Sequence, residues 1–358
     1  MTSVVRTAPT AMAALAVAAI TAFCALPAQA IFSLSDAANF AVYGSGSTTT
    51  DQLSPGPLTV NGNVGVGPNA DSKLGGANVV VSGQIVYADS TIATGKWDAS
   101  GGPISVYGQS LVLMSDEAAE IAAGVLNGQL VAGDAAATAT KGILANLYTS
   151  VKTLSATAGS PAGDLAGSNL DVNITGFTDA NFNYVVDLHK LVLDNTDKLT
   201  LHGTANSYFI FNIENEFVMK GASKILLDGV DPNHVLFNML KSGPDGGDAS
   251  KDVVVSGTAT GFGTILALDR NIVFNADPGS ASVWTGHLYG DDSGKTIQFG
   301  SNAILNQPGF VGPGPNGSTP EPPTVVLLLI AMLAGLGIHR SRSPAQRPAR
   351  VQPSFVPA

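Results

Sequence analysis

A short unit in which apolar residues alternate around a central glycine recurs along the chain, and it narrows the fold more than any other feature. It reads LTVNGNVGVG from Leu58, VVVSGQIVYA from Val79, VVVSGTATGFGTILAL from Val253 and SVWTGHLYG from Ser282. Alternation is the signature of a strand with one buried face, and the repeated glycine marks a bend or a close backbone approach. Other runs obey the same logic: DVNITGF from Asp171, KLVLDNTDKLTLHG from Lys190, SYFIFNIENEFVMKG from Ser207 and HVLFNM from His234. Many short strands with glycine corners fit a β-solenoid, whose coils stack into one continuous core. A β-sandwich is the alternative. It accounts less well for the number of strands and for the scarcity of Asn-Gly hairpin dipeptides, since Asn61-Gly62 lies inside a strand-like unit.

One stretch breaks the alternation. Residues 115–157 are rich in alanine, and Ile143, Leu144, Leu147, Val151 and Leu154 recur at three- and four-residue intervals, the stripe of an amphipathic helix. Ser115 suits the N-cap, and Asp116 and Glu117 complement the helix dipole. Gly124, Gly128 and Gly133 weaken the first half, so the segment divides into two helices as readily as it forms one. The stripe needs an apolar partner, which the flank of a solenoid would supply. The expected architecture is therefore mainly β: a right-handed β-solenoid with a long α-helix packed alongside.

Charge excludes several partners. Five of the 17 cationic residues, Arg6, Arg340, Arg342, Arg347 and Arg350, lie towards the ends. Residues 31–319 therefore hold 12 basic and, with Glu321 set aside, 26 acidic side chains. So acidic a body does not track nucleic acid through a basic face, and its single arginine, Arg270, makes a guanidinium cluster for phosphate improbable.

The ends read as export signals. Arg6 precedes an apolar run, residues 11–26, and Ala28-Gln29-Ala30 has the small-x-small form of a signal-peptidase site, giving a signal peptide over 1–30 with a permanent anchor as the alternative. Cys24 lies inside it, so cleavage after Ala30 leaves a body without cysteine, which must draw its stability from a large packed core. A Gly/Pro linker, 308–319, leads to Pro320-Glu321-Pro322, an apolar run over 324–338 and then Arg340 and Arg342. This order resembles the PEP-CTERM sorting signal of Gram-negative bacteria, over 320–345, with 346–358 as a disordered tail. The resemblance implies transient anchoring through the C-terminal helix and processing by an exosortase as well as signal peptidase. The arginines beyond the helix place the C-terminus in the cytoplasm and the body outside the inner membrane. A permanent tail anchor is the alternative.

The body, 31–307, reads as one domain, because no charge block or Pro-rich break divides it. Its opening LSDAANFAVYGSGST, followed by LTVNGNVGVGP, resembles the ice-binding-like (DUF3494-type) β-solenoid domains, which have a long helix along the coil stack. The segments YFIFNIE, HVLFNM, GFGTILALDRNIVF and TGHLYG are similar to the choice-of-anchor A domain, a surface module of adhesive role. These motifs of glycine and apolar residues specify fold far better than function.

Catalytic constellations are lacking: the sequence has no G-x-S-x-G, no H-E-x-x-H and no Walker loop. His189, His202, His234 and His287 show no ligand-like spacing and are expected on solenoid faces. Asp245, Asp248 and Asp252 in SGPDGGDASKD are weak calcium candidates, but their spacing is neither an EF-hand nor the nonapeptide repeat, so a solvated loop is expected there. Asp291-Asp292 reads as a turn. Arg270, beside Asp269 at a coil corner, reads as a surface salt bridge. Ice recognition would need outward threonines at regular spacing. Thr48, Thr49 and Thr50 in one turn and Thr258 and Thr260 in another are candidates for a ligand face, but Asn61 and Ser82 stand at outward positions elsewhere. The sequence thus points to an exported adhesive or structural protein of the cell surface or extracellular matrix, associated with exopolysaccharide, without cofactor or catalysis. Ice binding is the alternative, and a polysaccharide-acting enzyme a distant third.

Overall fold

Parallel pairing dominates the backbone: every strand pair but one, the hairpin of Ile104–Val106 with Gln109–Leu111, runs parallel among the described residues. Parallel neighbours need crossovers, and here the crossovers are the other sides of a coil, which makes the chain a β-solenoid of about eight turns and rules out the sandwich. The computed structural model describes residues 34–308 except 46–50, 54–56, 71, 76–77, 93–96, 99–103, 112–116, 174–182, 278, 291–294 and 301. One compact unit spans Met1–Gly312; a second, Pro313–Ala358, lies outside the described residues. So do Cys24, Ala28, Ala30, Pro320, Glu321, Pro322, Arg340, Arg342 and the apolar run 324–338, as well as Thr48 to Thr50, Ser115, Asp116, Asp291 and Asp292. Among the described residues no helix is long and apolar enough to cross a membrane.

Each coil has three faces in chain order. Face 1 stacks Gly163–Ala166, the second half of Asn183–Leu193, Phe217–Met219, Val253–Gly257, Ile272–Ala276, Ile297–Phe299, Asp51–Leu53, Ser72–Gly75 and Trp97–Asp98. Face 2 stacks Leu170–Asn173, Lys198–His202, Lys224–Asp228, the first halves of Thr260–Ala267 and Ser282–Gly290, then Ala303–Asn306, Leu58–Asn61, Val79–Val81 and Ile104–Val106. Face 3 stacks the first half of Asn183–Leu193, Tyr208–Ile213, Val235–Met239, the second halves of the two long strands, then Val42–Gly44, Val64–Val66, Ile85–Tyr87 and Leu130–Val131. Nine strands at a step of ~4.8 Å make a stack roughly 38 Å long.

The order of the coils is not the order of the chain. Residues from Gly163 onward build the stack from one end to Ala303–Asn306, which pairs with Leu58–Asn61. The N-terminal coils continue from there to the far end. The middle coil is therefore composite: Ile297–Phe299 and Ala303–Asn306 form two of its sides, and Val42–Gly44, paired with both Ser282–Gly290 and Val64–Val66, forms the third.

Inside the coils, identical registers place apolar residues one above another. Leu199, Ile225, Trp284, Leu305, Val60, Val81 and Val106 are all inaccessible to solvent. Gly261 leaves room for the Trp284 ring, because a Cβ there would stand 2.1 Å from it. Phe217, Phe237 and Phe274 then meet the indole edge-on, with centroids 6.2, 6.1 and 6.0 Å away. The corner from face 1 to face 2 needs a left-handed residue in coil after coil. It is supplied by Asn169, Asn195, Gly221, Gly257, Gly279, Asn302 and Asn78, with φ between 55 and 79°.

The alanine-rich segment forms two helices, α1 over Glu117–Leu126 and α2 over Ala135–Val151. Asp134 caps α2 by accepting from the Ala137 amide at 2.8 Å. Leu144, Leu147, Tyr148 and Val151 of α2, with Leu34, Ala37 and Phe40 around the 3₁₀ turn Ser35–Asn39, lie against outward residues of face 3: Val185, Ile210, Leu236, Leu266, Tyr289 and Tyr43. Face 3 is consequently buried on both sides. Faces 1 and 2 alternate between buried and accessible positions.

Candidate binding faces

The outward rows of the two faces that no described helix covers are set directly by strand register. On face 1, Ala166, Val192, Val218, Val254, Val273 and Gln298 form one column across successive coils. Its four valines are half-buried. On face 2, one column runs Lys198, Lys224, Thr260, Val283, Ile304, Thr59, Val80 and Ser105. Beside it stand Asp171, Thr200 and Leu226 at one end, and Phe262, Thr285, Asn306 and Asn61 further along.

Of the two threonines expected on a ligand face, Thr260 lies in the face 2 column, whereas Thr258 sits at the corner, where its hydroxyl donates to Gly221 O at 3.2 Å. Thr59, Thr200, Thr260 and Thr285 share face 2 but occupy two columns and never adjoin one another along either. At the composite coil the surface is polar and internally bonded: the Ser82 hydroxyl donates to Asn61 Oδ1 at 2.9 Å, and the Asn61 amide to Asn306 Oδ1 at 2.8 Å.

The three aspartates weighed for calcium do not converge. Asp245 takes the Lys152 ammonium at 2.8 Å and the Tyr148 hydroxyl at 2.7 Å, which clamps the loop to the C-terminal turn of α2. The Lys152 bond, then that from Tyr148, holds the Asp245 carboxyl below the usual carboxylate range, and burial with the Asp245 bond pushes Tyr148 up. Asp248 accepts from the amide and hydroxyl of Ser250, and Asp252 from the Asn271 amide at 2.8 Å. No cluster of three or more His, Cys, Asp or Glu suited to a metal occurs among the described residues.

Arg270 corrects its sequence reading as a surface salt bridge, for its side chain is fully buried. The guanidinium reaches down the stack and donates to the carbonyls of Asn215, Glu214 and Leu240. It thereby staples three successive corners between faces 3 and 1, while Asp269 stands 4.0 Å from Nε and accepts from the Ser242 amide. Sequence spacing carried no signal for this, since its partners are backbone atoms 30 to 56 residues away.

The histidines divide. His189 Nδ1 lies 2.9 Å from Asp164, and that bond, then one from Lys190, lowers the Asp164 pKa. His202 sits between Asp228 at 2.9 Å and Asp171 at 3.3 Å, and bonds to Asp228 and then Asp171 raise its pKa. His234 stacks on Tyr208. His287 is buried, with Nδ1 2.8 Å from Phe40 O, and burial holds its pKa below 6.5.

A family model described as an ice-binding-like adhesive domain matches residues 32–292. No curated protein matches the chain. Among solved structures, the ice-binding protein of the Antarctic ascomycete Antarctomyces psychrotrophicus is 12% identical over 76% of this chain and 97% of its own, with a TM-score of 0.43. A glycosylated ice-binding protein from an Arctic yeast is 15% identical over 82% and 99%, TM-score 0.44. The DUF3494 domain of Shewanella frigidimarina ice-binding protein 1 is 14% identical over 76% and 96%, TM-score 0.41.

Proposed function

The chain belongs to the family of ice-binding-like adhesive domains, and on that premise we propose that it is an exported, non-catalytic adhesin of the cell surface or extracellular matrix that holds a hydrated surface polysaccharide. One observation carries the reading: the uncovered faces present long, in-register columns of mixed chemistry, with charged, hydroxyl, amide and apolar positions in succession. On a rigid stack many weak contacts of that kind add along the length of a polymer. The terminal motifs support delivery by signal peptidase and an exosortase, with the membrane held only in transit.

Ice binding is the second reading, favoured by the valine column of face 1, a regular row of small apolar side chains at the coil step. Cold-stage microscopy and retention on the producer's own exopolysaccharide separate the two. The adhesive reading expects retention and unfaceted crystals. Faceting abolished by Val218→Tyr or Thr260→Tyr, together with no retention on the polymer, would establish the second reading instead.

A further inference from the structure

We propose that face 2 binds an extended uronate-bearing polysaccharide laid along the coil stack, with Lys198 and Lys224 gripping its carboxylates; this rests on the adhesive reading. The two lysines are 26 residues apart in the chain but directly opposed in register on neighbouring coils. Like-charged residues directly opposed on strands ~4.8 Å apart destabilise the sheet. Both side chains are exposed, and neither has an ion-pair partner among the described residues, whereas Lys152, Lys190 and Lys251 pair with Asp245, Asp164 and Glu216.

Carboxylates are not in short supply in this body, and three of those near the pair are engaged elsewhere. Asp197 accepts from the Asp194 amide within its own turn, and Asp171 and Asp228 flank His202 at the opposite edge of the face. The fold thus leaves one concentrated pair of cations on an otherwise acidic surface, which is complementary to an external anion.

The next positions along the column fit sugar rings. Thr260 comes first, then Val283 and Ile304, with Phe262 and Thr285 beside them: hydroxyls for hydrogen bonds and apolar surface for the C–H face of a pyranose. A ring is about as long as the ~4.8 Å coil step, so successive sugars keep pace with successive coils. Compact ammonium groups suit single carboxylates. The planar fork that favours phosphate is absent from this face, the buried Arg270 being the body's only arginine.

The test measures retention of the full chain on immobilised polygalacturonate, its methyl-esterified form and polyphosphate, at low and high salt. The expected order is polygalacturonate over both others, weakening with salt. Lys198→Gln/Lys224→Gln should lower affinity about three- to tenfold with a melting temperature equal to or above that of the unaltered protein, while Lys220→Gln/Lys251→Gln, equal in charge, leaves affinity nearly unaltered. Equal binding of the first double variant, or preference for polyphosphate, overturns the site. If the producer's polysaccharide is still retained in that case, adhesion stands and only the lysine site falls; loss of retention on every polymer removes both.

Discussion

Asn195, Gly221 and Gly257 stand one above another at the same corner with φ of 56, 63 and 78°. Only residues that tolerate left-handed backbone fit, and at Gly257 a Cβ would also stand 2.7 Å from Gly221 O. Gly257→Ala should therefore destabilise the body by on the order of 3 kcal/mol, seen as a lower urea midpoint, whereas Asn195→Gly should change it little. Arg270 makes the complementary case. Arg270→Met keeps much of the volume but removes the guanidinium donor from the carbonyls of Asn215 and Leu240 and leaves that of Glu214 only the Asp248 amide, at a cost of about 3 kcal/mol; Arg270→Lys, lacking the planar fork, should recover little of it. An unfolding midpoint for Arg270→Met equal to that of the unaltered protein would contradict the staple. The bend at Gly257 was legible from the glycine recurring within alternating residues, a local signal, whereas the asparagines at the same corner, Asn78, Asn169, Asn195 and Asn302, carried no such repeat. Nor was the burial of Arg270 legible, because its acceptors are carbonyls that every sequence possesses.

Helix α2 is held to the coils by an apolar stripe, by the buried Tyr43 hydroxyl, which donates to Ala137 O at 2.8 Å, and by a polar clamp, Tyr148 and Lys152 on Asp245. If the loop carrying Asp245 is a clamp and not a cation site, excess chelator should leave the melting temperature unchanged within a degree or so, and Asp245→Ala should lower it equally with and without Ca²⁺. A drop on chelation that Ca²⁺ restores would contradict this. Histidines on two elements pull stability in opposite directions with pH. The depressed pKa of His287 gives stability that is complete above 6.5 and is lost as pH falls below that value. His202, its pKa raised by Asp228 and Asp171, contributes stability that is complete below 6.5 and is lost as pH rises through the raised value. Urea midpoints between about pH 5 and about pH 8 should show His287→Gln flattening the acid limb and His202→Asn removing the alkaline decline. The stripe on α2 could be read from its three- and four-residue spacing; the clamp could not, since Tyr148 and Asp245 are 97 residues apart.

At the scale of the whole molecule, the two runs of coils meet at Ala303–Asn306 against Leu58–Asn61 and at Ser282–Gly290 against Val42–Gly44, and α2 lies against residues of both. Unfolding should accordingly be a single cooperative transition, with equal calorimetric and van't Hoff enthalpies. Leu305→Ala, on the meeting plane, should cost about 3 kcal/mol and lower the midpoint of the entire body. Two separable transitions would show that the halves fold independently. The solenoid itself was foreseeable from a repeated unit, yet its coil order was not, because strand alternation fixes which face a residue takes and is silent about which coil lies next to which. The same holds for Lys198 and Lys224, scattered in sequence and adjacent only once register is set.

The composite coil also decides where the two ends of the body lie. Gln307, near its last described residue, donates to Ala38 O near its first, so both ends of the body emerge at the waist of the stack and neither at a tip. Both tips of the stack, Gly163–Ala166 with Leu170–Asn173 at one and Trp97–Asp98 with Ile104–Val106 at the other, are in consequence built from the interior of the sequence, so that trimming the body from either end removes strands of the middle coil first.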